Sequence, residues 1–101
     1  MMKYGLEDRY LSELREILAS IPEIEEAILF GSRARGDYRR NSDIDLSLTG
    51  EQLEQHHIVE LRNKLYESRI PYFFDINIFR GLKSKTFIEN ILHDGVIIYK
   101  K

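Results

Sequence analysis

Asp43 and Asp45 stand one residue apart in the stretch LFGSRARGDYRRNSDIDLSL, residues 29–48, and ten residues separate them from the pair Gly31-Ser32. The segment SDIDLSLTG, residues 42–50, alternates strictly: Asp43, Asp45, Ser47 and Thr49 on one face, Ile44, Leu46 and Leu48 on the other. That is the pattern of a strand with one face on a core, and its side chains at i and i+2 point the same way, about 6.5–7 Å apart. Two bare carboxylates so placed raise each other's pKa and cost stability. A divalent cation reverses that logic, because it becomes the largest charge in the site. Two Mg²⁺ ions about 3.5–4 Å apart bridge such a pair in two-metal phosphoryl-transfer sites. A third carboxylate would complete the hard-oxygen environment Mg²⁺ prefers. Asp75 fits, because PYFFDINIF, residues 71–79, also alternates, with Asp75, Asn77 and Phe79 opposite Phe74, Ile76 and Ile78. A charge between Phe74 and Ile76 is costly unless something pairs with it.

The glycine–serine turn supplies the other half of this chemistry. Gly31 admits a sharp turn and lets a phosphate approach the main chain closely. Ser32 offers a hydroxyl and an N–H to phosphate oxygens, and any helical turn starting there adds its positive end. The turn is thus expected to hold the phosphates of a nucleoside triphosphate while the aspartates hold the metals. Arg33, Arg35, Arg39 and Arg40 lie within eight residues and create a local positive field. They are candidates for phosphate or partner contacts. Gly31 and Gly36 have the spacing G-x-x-x-x-G, but Asp37-Tyr38 follows where a P-loop needs Lys and Ser or Thr. His56, His57 and His93 read as surface residues, with His56 and Glu60 one helical turn apart the sole ligand-like spacing. Tyr38, Tyr66, Tyr72 and Tyr99 read as packing residues.

The elements that must position these groups follow from periodicity. Leu6, Tyr10, Leu14, Ile17, Leu18 and Ile21 recur at helical spacing, so the pattern predicts an amphipathic helix over residues 6–20, ended by Pro22. EEAILFG, residues 25–31, is a short apolar run stopped by glycine, a buried strand. A loop over 32–42, with room for one helical turn, leads into the aspartate strand. Thr49 and Gln52 resemble a capping box for a helix over 51–67 that carries Leu53, Ile58, Leu61 and Leu65 inward. Residues 71–79 are the third strand, with Pro71 at its first position, where a missing N–H is tolerated. Thr86 and Glu89 suggest a second capping box for a helix through His93, Gly95 its C-terminal cap, and VIIY, residues 96–99, a last strand.

The short excursion between the first two strands favours an antiparallel pair, which sets Ser32 beside Asp43. The helix over 51–67 is long enough for a right-handed parallel crossover from the second strand to the third. The expected fold is therefore α/β (α+β), a small mixed β-sheet with helices packed on its apolar face and the other face open around the aspartates.

Composition bounds the rest. The 101 residues suit one domain over 1–101, long enough to bury a core without staples. The 43% hydrophobic and 32% charged fractions are those of a globular, water-soluble chain. No apolar run approaches a membrane span, and the opening MMKYGLEDRY lacks the apolar middle of a signal peptide, so a cytoplasmic protein is expected. The absence of cysteine excludes disulfides, zinc ribbons and thiol catalysis. A net charge of −2 argues against direct nucleic-acid binding.

Together, Gly31-Ser32, the ten following residues, Asp43-Ile44-Asp45 and the later Asp75 resemble the pattern of the nucleotidyltransferase superfamily of the DNA polymerase β type. GSRARGDYRRNSDIDL is the most specific part, and the length and element order look like the minimal nucleotidyltransferases. The resemblance implies Asp43, Asp45 and Asp75 as metal ligands and catalytic residues, with Asp75 also helping to deprotonate the acceptor hydroxyl. It places Gly31, Ser32 and Arg33 at the nucleotide. It also implies two Mg²⁺ ions, with Mn²⁺ as a substitute, ATP as substrate, and a HEPN-domain toxin as partner, silenced by transfer of AMP. Two alternatives stand beside this reading: an antitoxin that neutralises by occupancy alone, and a transferase acting on a small molecule such as an aminoglycoside. Intact Ser32 and three aspartates argue against occupancy alone, since binding has no use for self-repelling carboxylates.

Overall fold

The structure, a computed structural model, describes residues 2–101. It opens with a hairpin of two short strands, β1 (Met2–Lys3) and β2 (Leu6–Glu7), turned at Tyr4 and Gly5, whose φ angles are 58° and 74°. Helix α1 (Asp8–Ala19) follows, then strand β3 (Glu26–Phe30), the one-turn helix α2 (Gly31–Arg35) and strand β4 (Ile44–Thr49). Helix α3 (Gln55–Tyr66), strand β5 (Phe74–Ile78), helix α4 (Lys85–Asp94) and strand β6 (Val96–Lys100) complete the chain. The four longer strands form one mixed sheet in the order β5-β4-β3-β6. As expected, β3 and β4 are antiparallel and β4 and β5 parallel.

Alternation decides the two faces of the sheet. Ala27, Leu29, Ile44, Leu46, Leu48, Ile76, Ile78 and Ile98 are buried in a core with Leu11, Leu14 and Leu18 of α1 and Ile58, Leu61 and Leu65 of α3. At about 25 cal/mol per Å² of apolar surface removed from water, this face supplies most of the drive to fold. The opposite face carries Asp45, Ser47, Asp75 and Asn77. One corner of it is covered: Phe87 of α4 meets Phe30 edge to face at 5.6 Å. Gly95, directly after α4, lies so close to Ile28 and the Ile91 carbonyl that a Cβ there would overlap both.

Several boundaries depart from the periodicity, each for a local reason. Leu6 is buried, as its spacing requires, but it sits in β2 rather than in the helix. Thr49 is held in the sheet opposite Glu26 and cannot cap a helix. Leu53 is fully buried yet outside α3, in a turn where Arg80 donates to the Gly50 and Leu53 carbonyls. Helix α3 is instead capped by His57 against Glu54: His57 Nδ1 accepts the Glu54 N–H at 2.9 Å, and the His57 N–H donates to the Glu54 carbonyl at 3.0 Å. His57 is accordingly buried, not on the surface. Ser84 rather than Thr86 caps α4, accepting the Phe87 N–H at 3.2 Å. Strand β5 begins at Phe74, three residues after Pro71. Tyr66 is 91% exposed, contrary to the expectation of a packing residue.

The register of the parallel pair is pinned on the open face. Ser47, with no exposed surface, donates from Oγ to Asn77 Oδ1 at 2.6 Å across the β4–β5 ladder. Ser47→Ala leaves that oxygen without its donor and should lower the unfolding free energy by about 1–2 kcal/mol, read from urea melts with an unchanged m-value.

Candidate active site

The β4–β5 register sets Asp45 directly opposite Asp75. Adjacent strands lie about 4.8 Å apart, and partners in a ladder point to the same face, so the two carboxylates face each other on the open side. Asp43 lies just outside the ladder, which begins at Ile44, whose N–H donates to the Phe73 carbonyl at 2.9 Å. Asp43 and Asp75 are exposed, whereas Asp45 is half-buried. Burial pushes Asp45 up to about 6, with further upward pressure from the Asp75 and Asp43 carboxylates, while Arg35 and Arg33 pull it down. The three aspartates singled out by their spacing thus form one electrostatic cluster.

Gly31 closes the cluster from the adjoining strand. Phe30 is the ladder partner of Asp45 on the β3 side, and the chain turns out of the sheet immediately after it. Gly31 has φ 75°, a conformation side chains disfavour, and a Cβ there would overlap Asp45 Oδ2. Glycine is therefore demanded twice, by the turn and by the carboxylate. Ser32 is partly exposed in the first turn of α2. The turn and the aspartates meet as the antiparallel pairing of β3 and β4 requires.

The arginines divide into three kinds. Arg35 is exposed, lies 3.3 Å from Asp37 and 3.8 Å from Asp94, and acts on Asp45 electrostatically. Arg39 and Arg40 are exposed in the loop. The guanidinium of Arg33, expected at the nucleotide, points inward and is 1% exposed. Its Nε and Nη2 donate to the Ser42 carbonyl at 3.0 and 2.7 Å, and its Nη1 donates to the Tyr4 carbonyl at 3.0 Å. With these bonds made, the side chain is spent on main chain rather than free for phosphate. Composition gave no hint of this, because all four arginines of the loop look alike in sequence.

Among the described residues no group of three or more His, Asp or Glu side chains is arranged to hold a metal ion. The donor set nevertheless fits Mg²⁺, which keeps several waters and is bound by one or two carboxylates plus substrate phosphates rather than by an all-protein cage. Hard oxygens that repel one another, two of the three carboxylates being exposed, are what such a cation would relieve.

Comparisons with known proteins agree with this geometry. The family profile described as "Polymerase beta, Nucleotidyltransferase" matches residues 12–101. A Methanocaldococcus jannaschii protein provisionally named a protein adenylyltransferase is 34% identical over 83 residues, 75% of this chain and 79% of its own. Among solved structures, a toxin-antitoxin crystallised with AMP-PNP superposes with a TM-score of 0.73 at 25% identity, over 90% of this chain and 73% of that one. A structure of tri-AMPylated Shewanella oneidensis HEPN toxin in complex with MNT antitoxin gives a TM-score of 0.69 at 20% identity, over 95% and 74%. At that identity the second likeness shows the fold alone.

The raised Asp45 carboxyl has a consequence for the metal-free chain. Between the ordinary value of 3.8 and about 6, the folded chain keeps a proton that the unfolded chain has lost, so stability falls as pH rises through that window. In EDTA, Asp45→Asn should therefore melt above the wild type at pH 7.5, and the gap should close by about pH 4. A gap that persists unchanged at pH 4 would mean that charge is not its cause.

Proposed function

The chain belongs to the polymerase beta nucleotidyltransferase family, and from that premise we propose that it transfers AMP from ATP to a hydroxyl of a partner protein, a HEPN-domain toxin, and so silences it. The observation that carries this reading is the Asp45–Asp75 pairing, with Asp43 at its mouth and Gly31 packed against Asp45. In the proposed reaction a bond forms between the acceptor oxygen and the α-phosphorus, the bond from that phosphorus to the β-phosphate bridging oxygen breaks, and pyrophosphate leaves. Asp75, exposed on the edge strand, is placed to take the proton of the incoming hydroxyl. Gly31 and Ser32 hold the triphosphate, Gly31 because no side chain stands between the main chain and the site. Asp43, Asp45 and Asp75 would hold Mg²⁺, or Mn²⁺ in its place, which when bound neutralises charge on the attacking and leaving oxygens.

Three observations support a protein as acceptor. The Methanocaldococcus relative is named for transfer to protein. A structural neighbour at 25% identity is a toxin-antitoxin crystallised with AMP-PNP. Arg39 and Arg40, exposed in the loop that leads to Asp43, offer positive charge for steering an acidic surface. None of the helices among the described residues is long and apolar enough to cross a membrane.

The test is transfer itself. With labelled ATP, Mg²⁺ and a HEPN protein encoded beside this chain, the wild type should add the mass of AMP to that protein. Asp75→Asn should keep the fold and most nucleotide binding but slow transfer by about three orders of magnitude, roughly 4 kcal/mol of transition-state stabilisation. Near wild-type transfer by the variant would remove Asp75 from the reaction. Protection of cells by an Asp43→Ala/Asp45→Ala chain as good as by the wild type would mean neutralisation by occupancy.

A further inference from the structure

Arg33 stands where three segments that shape the site converge. Its Nε and Nη2 both donate to the Ser42 carbonyl, the oxygen of the peptide that joins Ser42 to Asp43. Its Nη1 donates to the carbonyl of Tyr4, at the tip of the β1–β2 hairpin, where Tyr4 holds a positive φ of 58°. The guanidinium carbon lies 4.5 Å from the ring centre of Tyr72 and 5.5 Å from that of Tyr38. Tyr38 belongs to the loop before Asp43, and Tyr72 to the run-in to β5 and Asp75. A buried cation is costly unless its donors are satisfied, and here main-chain carbonyls and ring faces satisfy them. Gly5 completes the fit, since a Cβ there would overlap Tyr38 and the Arg33 guanidinium.

The position of Asp43 gives this arrangement a purpose beyond stability. Asp45 and Asp75 are fixed by the ladder, but Asp43 precedes it. Ser42, in front of Asp43, is held in three ways: its N–H donates to the Arg39 carbonyl at 3.1 Å, its hydroxyl oxygen accepts the Arg39 N–H at 2.8 Å, and its carbonyl accepts from Arg33. The first two bonds are internal to the exposed loop and move with it. On the far side of Asp43 the Ile44 N–H is anchored on the Phe73 carbonyl. On the near side, among the described residues, Arg33 is what ties the Ser42 carbonyl to the body of the protein, and its two donors on one oxygen restrain the peptide plane as well as its place.

We propose that Arg33 is a positioning residue of the nucleotidyl-transfer site, which aims Asp43 by clamping the Ser42 carbonyl. The proposal rests on the reading of Asp43 as a catalytic carboxylate but not on the identity of the acceptor. Arg33→Met keeps an unbranched stem and removes the charged clamp. Arg33→Lys keeps the charge but offers a point donor in place of a fork, and it serves wherever the methionine variant fails to fold.

Two measurements decide the matter. By amide hydrogen exchange, the variant should exchange at least tenfold faster at residues 39–43 while the β3 amides of Ile28 and Leu29 stay protected. Equal acceleration in both places would make Arg33 a general stabiliser and overturn the proposal. At a temperature where all variants are folded, Arg33→Met should lower kcat for AMP transfer at least thirtyfold with KM for ATP within about threefold. In an Asp43→Asn background the same substitution should cost less than threefold more, because the group it aims is already gone. Additive losses would overturn the proposal. Should the wild type transfer AMP to no acceptor, the functional reading fails by itself, and the exchange measurement still decides whether Arg33 holds Asp43.

Discussion

Everything at the open face follows from two carboxylates held opposite each other by a parallel ladder. Asp45 and Asp75 cannot move apart without breaking the register of β4 and β5, and half-burial denies Asp45 the water that would screen it. A chain selected for stability alone would place a neutral residue at one of these positions. The strain is tolerated because the other face of the same strands is buried among the leucines and isoleucines of α1 and α3. It is contained because Ser47 and Asn77, two residues further along, supply a neutral hydrogen bond where Asp45 and Asp75 supply repulsion. The sheet is thus stapled next to the place where it is stressed.

Around that stress the chain distributes positive charge by depth. Arg33 is sealed inside on carbonyls and aromatic rings, Arg35 lies exposed but within reach of Asp37 and Asp94, and Arg39 and Arg40 project from the loop. A guanidinium near the carboxylates moderates their repulsion without neutralising them outright, as the downward pull of Arg35 and Arg33 on Asp45 shows. A full ion pair would tie up carboxylate oxygens that the proposed cation would need. Gly31 has the complementary task of keeping carbon away from Asp45 Oδ2, so that the turn and the carboxylate share one small space.

Much of this was legible in the chain because it rests on alternation, the most regular signal a sequence carries. The i, i+2 spacing of Asp43 and Asp45, the in-face position of Asp75 and the antiparallel return after a short loop put the three aspartates and Gly31 together, and the structure has them so. What escaped was held by long-range hydrogen bonds from side chain to main chain, which leave no periodic trace. Arg80 reaching back to Gly50 and Leu53 shifts the start of α3, and His57 becomes a buried cap rather than a surface residue. Arg33 is the extreme case. Its role depends on Tyr4 and Ser42, 29 and 9 residues away, and on rings from two further segments, none of which its neighbours in sequence announce.

The central claim is that the repulsion among Asp43, Asp45 and Asp75 is kept because a metal-bound nucleotide relieves it. The most direct measurement is the melting temperature with ATP alone, Mg²⁺ alone and both together, in the wild type and in Asp45→Asn. The account predicts a rise with both that exceeds the sum of the separate rises, and loss of that excess in the variant, since ligands that bind only the folded state stabilise it by mass action. Additive rises in the wild type, or an equal excess in Asp45→Asn, would contradict it.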